Sequence, residues 1–238
     1  MAHRRFICML LVVVLGVVAN VQAAPTDAKA LQAEADAADS EARAAYRQGK
    51  YAVAEVYYRN ALTIREKVFG PEHPDTARTL YVIANALLLQ AKYPEAEDFY
   101  RRTLAIRQKS LGPQHPDTAR TLGSIGALLL RQGKYREGED YCRRALAIRE
   151  KVLGPEHPET ARNINDVALA LYRQGKYAEA EASYRRSLLI REKALGPKHP
   201  DTLRSMEALA DALEQQNKKA EANELFRRAR AARKSPQS

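Results

Sequence analysis

A 42-residue period constrains this chain more than any other feature of its sequence. Two words, Gly-Pro-x-His-Pro and Gln-(Gly/Ala)-Lys-Tyr, each occur four times at that spacing. The first word stands at 70–74, 112–116, 154–158 and 196–200, and the second ends at Tyr51, Tyr93, Tyr135 and Tyr177. A fixed period of this length indicates a solenoid, in which each unit buries its apolar face against its neighbours.

Each unit predicts two helices, which we call helix A and helix B. In one helix A, apolar residues recur at the spacing of a buried helix face: Leu80, Ile83, Ala84 and Leu87. The second word then predicts a turn, and helix B follows it until Gly-Pro ends the helix. The predicted pairs occupy residues of about 29–70, 75–112, 117–154, 159–196 and 201–232.

These words resemble the tetratricopeptide repeat in the 42-residue form known from kinesin light chains and many bacterial proteins. Residues 173–202, RQGKYAEAEASYRRSLLIREKALGPKHPDT, carry the resemblance, with copies at 131–160, 89–118 and 47–76. The family's small and aromatic positions match at Ala54, Ala96, Gly138, Ala180 and Ala222, and at Tyr58, Tyr100, Tyr184 and Phe226. The resemblance implies an all-α, right-handed superhelical solenoid of about five antiparallel helix pairs over roughly 24–232.

The first 23 residues predict a secretory signal peptide. Two arginines precede an apolar run from Phe6 to Val18, and Val21-Gln22-Ala23 offers the small residues that signal peptidase accepts. The run has about 13 residues and a transmembrane helix needs about 20, so we expect no stable membrane anchor. We predict cleavage after Ala23 and export to the periplasm, with secretion from the cell as the alternative. Residues 233–238 are expected to form a basic and polar tail.

The basic balance of the chain raises the question of nucleic acid. Its formal net charge of +10 becomes +8 once Arg4 and Arg5 leave with the signal. Proteins that bind RNA or single strands usually interleave basic residues with aromatic ones for stacking. Here the tyrosines fall mainly at turns and at core positions of helix B, and export would separate the protein from cytoplasmic nucleic acid. We therefore expect a protein partner and no nucleic acid.

No catalytic, cofactor or metal site is predicted. His73, His115, His157 and His199 occupy one linker slot, so the solenoid would space them one repeat apart, whereas such sites need unlike groups that converge. Cys142 replaces a helix-B aromatic residue and is expected to be a buried thiol. We predict that the chain is not an enzyme; a role as accessory subunit of a separate enzyme stays open.

Arginines form a ladder, one per repeat, on the face of helix A opposite its core stripe. The resemblance implies that a peptide or helix binds there, in the concave groove, and guanidinium groups favour an acidic partner. Alternatively, the ladder is solvated and propagated by repeat duplication. Smaller residues between the charges leave room for apolar side chains: Leu88, Gly123, Ala127 and Leu130. The predicted groove residues are Arg78, Tyr81, Asn85, Arg120, Arg131, Arg162, Asn165, Tyr172, Arg173 and Arg204.

The resemblance does not extend to the cargo contacts of kinesin light chains. Those proteins hold cargo with paired asparagines on helix A, and here Asn165-Asp166 alone approaches the pair. The sequence thus predicts an exported adaptor or assembly factor with its own partner. The alternative is a scaffold that self-assembles through the solenoid ends as a homo-oligomer.

Overall fold

The computed structural model describes residues 25–234, and within them the chain forms ten α-helices and no strand. Their bounds are α1 Pro25–Arg47, α2 Tyr51–Phe69, α3 Pro74–Leu89, α4 Tyr93–Ser110, α5 Pro116–Arg131, α6 Tyr135–Leu153, α7 Pro158–Arg173, α8 Tyr177–Leu195, α9 Pro200–Glu214 and α10 Lys219–Lys234. Odd-numbered helices are the predicted A helices and even-numbered ones the B helices. Each helix packs mainly on the next, which confirms an all-α solenoid of five pairs.

The outer boundaries differ slightly from the prediction. The first helix begins at Pro25, whereas the first predicted repeat begins at about residue 29, and the last helix continues to Lys234, whereas the last predicted repeat ends at 232. Neither extension, residues 25–28 or 233–234, contains a large apolar residue, so no apolar periodicity marks them in the sequence. The predicted signal peptide, its cleavage site and most of the tail lie outside the described residues. No helix within 25–234 has the length and apolar character needed to cross a membrane.

The second word builds the turn between helices A and B. Its glycine slot has positive φ in all five turns, even where Ala91 (φ 58°) or Asn217 (φ 61°) replaces glycine. Each following lysine donates its backbone N–H to the carbonyl five residues earlier, as Lys92 does to Leu87 at 3.0 Å. This pattern is the Schellman ending of an α-helix. The glutamine of the word binds the preceding repeat, because Gln90 donates to Glu55 at 2.8 Å.

The first word ends helix B and starts the next helix A. Each linker histidine is the N-cap of helix A, and its Nδ1 accepts a hydrogen bond from the backbone N–H two residues on, at 3.1–3.2 Å. An N-cap acceptor satisfies a backbone donor that the helix itself leaves free. Proline follows at the first helical position, where its missing N–H is not needed. The prediction that these histidines are helix-start residues is thus confirmed.

The core runs along the solenoid between the helix pairs. The predicted small residues lie at the A–B crossings and are buried, and the stripe of Leu80, Ile83, Ala84 and Leu87 is fully buried. Cys142 is also fully buried, as predicted, and burial raises the pKa of its thiol. Leu130 contradicts the prediction that it faces the groove: it is 9% exposed, because it leans onto Gly138, which has no side chain to keep it away.

Candidate binding groove

Residues of four A helices line a cleft of about 370 Å³, which we call the central cleft. Helices α3, α5 and α7 supply most of its wall, and Tyr46 of α1 completes it together with Tyr100 and Arg149 of the B helices. The predicted groove residues that line it are Tyr81, Asn85, Arg120, Arg131 and Arg162. Five of the ten predicted groove residues therefore line one cavity.

A second cleft of about 580 Å³ lies further along the solenoid, between α7 and α9. It contains three of the predicted residues, Arg162, Asn165 and Arg204, together with the carboxylates of Glu159, Asp166 and Asp201. Arg162 borders both clefts. The other predicted residues, Arg78, Tyr172 and Arg173, line neither of them.

Tyrosines hold the upstream wall of the central cleft in place. The hydroxyl groups of Tyr81 and Ser124 are hydrogen-bonded at 3.0 Å, and the Arg107 guanidinium lies 4.9 Å from the centroid of the Tyr81 ring. The Tyr100 hydroxyl donates to Oδ1 of Asn85 at 2.6 Å. Tyr81 and Asn85 therefore already form hydrogen bonds within the protein. They serve mainly as the wall of the cleft and are less available to bind a partner.

The middle of the cleft is hollow because α5 carries small residues there. Gly123, Ser124 and Ala127 take positions that Tyr81, Val82 and Asn85 hold one repeat earlier. A Cβ atom added to Gly123 would lie 3.1 Å from Nδ2 of Asn163, so the glycine leaves space against that amide.

The predicted arginine ladder is exposed but largely paired. Arg78 and Arg120 form ion pairs with the aspartate three residues earlier, at 3.4 Å and 3.2 Å, and Arg204 pairs with Asp201 in the same way. Within residues 25–234, Arg162 differs by forming no such pair. Its counterpart carboxylate, Glu159, is bound by Arg149 at 2.5 Å.

A second arginine series, which was not predicted from the sequence, lies near the C-terminal end of the first four B helices. Its members also recur every 42 residues and are largely buried: Arg65, Arg107, Arg149 and Arg191. Arg107 donates to the hydroxyl of Thr121 at 2.9 Å and to the Asp117 carbonyl at 3.0 Å. The 42-residue recurrence was visible, but arginine is seldom buried, so the sequence alone did not indicate this structural role.

Asp166 is the unusual carboxyl group of the site, and it borders both clefts. Burial raises its pKa to about 6, although the charges of Arg162, Arg191 and Arg149 oppose that shift. Where both are ionised, Glu159 and Asp166 face four cleft arginines: Arg120, Arg131, Arg149 and Arg162. The central cleft is therefore positively charged overall, which favours an anionic occupant.

No arrangement for metal binding accompanies these residues. Across residues 25–234, no three His, Cys, Asp or Glu side chains lie together as a metal ion would require. The Nδ1 atom of each linker histidine instead accepts a hydrogen bond from a backbone N–H at the start of its own helix A.

Ten helices arranged as successive A–B pairs define a helical repeat protein. A family model, the tetratricopeptide repeat, matches residues 34–109, 90–137, 117–188 and 163–235. The chain belongs to the tetratricopeptide repeat family, whose members generally bind proteins or peptides and generally act as non-catalytic scaffolds. A comparison with curated proteins finds no match.

Solved structures share this fold at low sequence identity. A Podosopora anserina protein described as a kinesin light chain with nearly identical TPR-like repeats is 24% identical, with a TM-score of 0.72, over 87% of this chain and 99% of its own. BtubC (BKLC) from P. vanneervenii is 18% identical, with a TM-score of 0.72, over 88% and 95%. Pseudomonas aeruginosa pilF is 20% identical, with a TM-score of 0.63, over 88% and 80%. These likenesses concern the fold.

Proposed function

We propose that this protein is an exported, non-catalytic adaptor or assembly factor that binds an acidic segment of a partner protein. The segment, extended or helical, would lie along the A helices and across the central cleft. The observation that carries the proposal is the cleft itself, where four arginines surround a hollow of about 370 Å³. Guanidinium groups bind carboxylates through paired, charge-assisted hydrogen bonds, which suits them to this role.

The size and shape of the hollow support a side chain as its occupant. Gly123 and Ala127 open the middle of the cleft, while the ring of Tyr81 closes one side. A segment passing over α5 could insert one side chain at this place and leave its neighbours near Arg120 and Arg131. Buried Arg–hydroxyl bonds hold α5 and α9 against the preceding B helices, so much of the surface is pre-formed.

A non-catalytic role agrees with how the reactive residues are used. The four linker histidines cap helices, and Cys142 is buried with a raised thiol pKa, which keeps it in the unreactive protonated form. The family as a whole generally consists of scaffolds.

The adaptor proposal is tested by capture from a periplasmic extract. Immobilised wild type is expected to retain a partner that elutes as salt is raised, and the variant with Arg120→Glu and Arg162→Glu should retain none. A matched variant, Arg136→Glu with Arg227→Glu, makes the same change of charge on exposed residues of the B helices and should behave as wild type. Equal capture by the cleft variant and the matched variant would contradict groove binding.

Export is tested separately by finding where the protein is cut. The N-terminal pattern supports a signal peptide, and we expect the mature chain to begin at Ala24 and to appear in the periplasmic fraction. N-terminal sequencing of the fractionated protein makes the measurement. A chain that retains Met1 in the membrane fraction would show that the segment is an anchor.

Self-assembly is the second candidate function, and one observation favours it. The first B helix exposes Val53 (46%), Val56 (67%) and Tyr57 (38%). In later repeats the position of Val53 holds a glutamate, and in the second, third and fifth repeats it pairs with an arginine of the preceding B helix, as Glu137 does with Arg101 at 3.1 Å. The open end of the solenoid is therefore apolar, and a second copy could cover it.

Light scattering separates the two candidates. If self-assembly is the main role, the wild type is an oligomer, and Val53→Glu with Val56→Asp gives a monomer. A monomeric wild type at all accessible concentrations would rule this candidate out and leave the adaptor proposal intact.

A further inference from the structure

One junction of the solenoid breaks the bonding rule that the other junctions follow. At three junctions, a buried arginine at the end of helix B donates to a hydroxyl on the next helix A. The three bonds are Arg65 to Thr79 at 2.5 Å, Arg107 to Thr121 at 2.9 Å and Arg191 to Ser205 at 2.7 Å. Each bond satisfies the buried guanidinium and ties consecutive repeats together.

The junction between the third and fourth repeats has Asn163 where the others have a hydroxyl. The arginine of that junction, Arg149, turns to Glu159 and donates to its Oε2 at 2.5 Å. Asn163 is 3% exposed, and among the described residues its carbonyl oxygen has no partner. The Nε of Arg149 has none either, but the same holds for the Nε of Arg65 at an ordinary junction. What sets this junction apart is therefore an amide in place of the hydroxyl and an arginine that pairs with a carboxylate at the cleft.

Both groups lie on the wall of the central cleft. The Nδ2 atom of Asn163 lies 3.1 Å from the point where a Cβ of residue 123 would be, so glycine at that position opens the cleft toward the amide. Arg162, which has no ion pair within residues 25–234, borders the same space. Two guanidinium groups and a buried amide therefore surround one hollow.

The Arg149–Glu159 pair places a carboxylate of the chain itself against the hollow. The side chain of Arg149 is 11% exposed and that of Glu159 is 49% exposed, so the carboxylate reaches in from the surface to a cation that stays inside. Burial alone would raise the pKa of Glu159, but the hydrogen bond from Arg149 lowers it and keeps the group ionised. Glu159 is thus a carboxylate of the chain itself on an exposed side chain. A carboxylate of a bound segment would have to displace it to reach Arg149.

We propose that this junction is the specificity subsite of the groove and that it receives a carboxylate of the bound segment in place of Glu159. The incoming carboxylate would bind the guanidinium groups of Arg149 and Arg162 and accept a hydrogen bond from Nδ2 of Asn163. Displaced Glu159 would move into solvent. This inference rests on the proposed function, because the subsite acts on a segment that the groove already holds.

The test uses fluorescein-labelled Gly-Ser peptides that carry clustered glutamates and an amidated C-terminus, with glutamine-for-glutamate peptides as the reference. A third peptide has no glutamate and a free C-terminal carboxylate, so it distinguishes a side-chain carboxylate from a chain terminus. Fluorescence anisotropy gives the affinity of each. We expect wild type to prefer the glutamate or the free-terminus peptide over the reference by roughly tenfold, the effect of about 1.4 kcal/mol.

Asn163→Thr is the deciding variant. Threonine restores the hydroxyl that Arg149 lacks, so the internal Arg–hydroxyl bond should form and the subsite should close while all ladder arginines remain. We expect the preference for the glutamate peptide over the glutamine peptide to fall to about a few-fold or less, because the charge-assisted contacts of the subsite are lost. The free energy of unfolding in urea should equal or exceed that of wild type. A variant that keeps the full wild-type preference would overturn the subsite.

Glu159→Gln tests the exchange. Removal of the internal carboxylate should tighten binding of the glutamate peptide by about threefold or more, since Arg149 no longer has a competitor. The matched control is Glu156→Gln, which removes the same charge from an exposed residue of the linker just before α7, where Glu156 pairs with Lys193 at 2.6 Å. Equal effects of the two variants would overturn the exchange.

The subsite and the groove can fail separately. If Arg120→Glu with Arg162→Glu abolishes binding of the glutamate peptide and Asn163→Thr leaves its preference unchanged, the groove stands and the subsite is wrong. If wild type binds the glutamate, glutamine and free-terminus peptides equally, both are wrong.

Discussion

Gly126 lies so close to Cys142 that a Cβ atom on the glycine would be 2.5 Å from the thiol Sγ. The corresponding A-helix position is alanine in the second, fourth and fifth repeats, where helix B carries tyrosine or phenylalanine in place of the cysteine. The third repeat therefore packs its two helices together more closely, with glycine and a small thiol in place of alanine and a ring.

We expect Gly126→Ala to destabilise the protein by about 1–3 kcal/mol, because a methyl group forced into a packed crossing shifts its neighbours. The free energy of unfolding in urea measures the effect. In a Cys142→Ala background the same change should cost less, since Sγ is gone, although the Cys142 backbone nitrogen at 3.1 Å still limits the space. If the free-energy costs of Gly126→Ala and Cys142→Ala simply add in the double variant, the two residues do not interact.

Removal of a helix N-cap should weaken the solenoid locally. His115→Ala deletes the acceptor of the Asp117 N–H at 3.1 Å, and we expect a loss of about 0.5–2 kcal/mol. His115→Asn keeps an acceptor and should lie near wild type. Urea unfolding compares the three proteins, and an alanine variant as stable as the asparagine variant would show that the cap contributes nothing.

The buried arginines should matter far more than exposed ones. Arg191 is 6% exposed and donates to Ser205 and to the Asp201 carbonyl, so Arg191→Ala should cost about 2–4 kcal/mol through the lost bonds and the cavity. Arg186→Ala, which removes an exposed ion pair with Glu150 at 2.7 Å, should cost at most about 1 kcal/mol. Similar losses in the two variants would contradict a structural role for the buried series.

Asp166 gives the stability a pH dependence of known sign. Its pKa is raised to about 6 by burial, while the ordinary value is 3.8; the facing charges are Arg162, Arg191, Arg149 and Glu159. The folded state therefore binds the proton more tightly, and ionised Asp166 destabilises the fold. That cost is fully present above about pH 6 and is relieved as the pH falls toward about 4.

Asp166→Asn removes this cost. Relative to wild type, we expect the variant to be more stable at about pH 8, by on the order of 1–3 kcal/mol, with a smaller gain at about pH 4.5. The difference between the two urea midpoints at each pH is the measurement. A gain that is larger at the lower pH would show that the assigned direction of the pKa shift is wrong.

The sequence predicted the helix pairs well because each repeat carries its own start and stop signals. His115 and Pro116 begin α5, and the Gln-Gly-Lys-Tyr word ends it, so the helix boundaries could be read without any tertiary information. The boundaries that differed, at Pro25 and Lys234, lie at the ends, where no neighbouring repeat imposes the pattern.

The candidate site was predicted in part, since position on a helix face does not reveal how a side chain is used. Arg120 and Arg162, which were predicted as groove residues, line the central cleft. Leu130 was expected to face the groove as well, but it packs on Gly138, a contact that depends on how closely α5 and α6 approach. Arg149 was missed because its guanidinium comes from a B helix and reaches the cleft through the junction.

The central claim is that the arginines of the central cleft bind an acidic segment, and fluorescence anisotropy with labelled poly-glutamate tests it most directly. We predict that wild type and the matched variant Arg136→Glu with Arg227→Glu bind the polymer with an affinity that falls as salt rises, and that Arg120→Glu with Arg162→Glu does not bind it. Binding of poly-glutamate by the cleft variant at wild-type affinity, or its loss in both variants alike, would contradict the account.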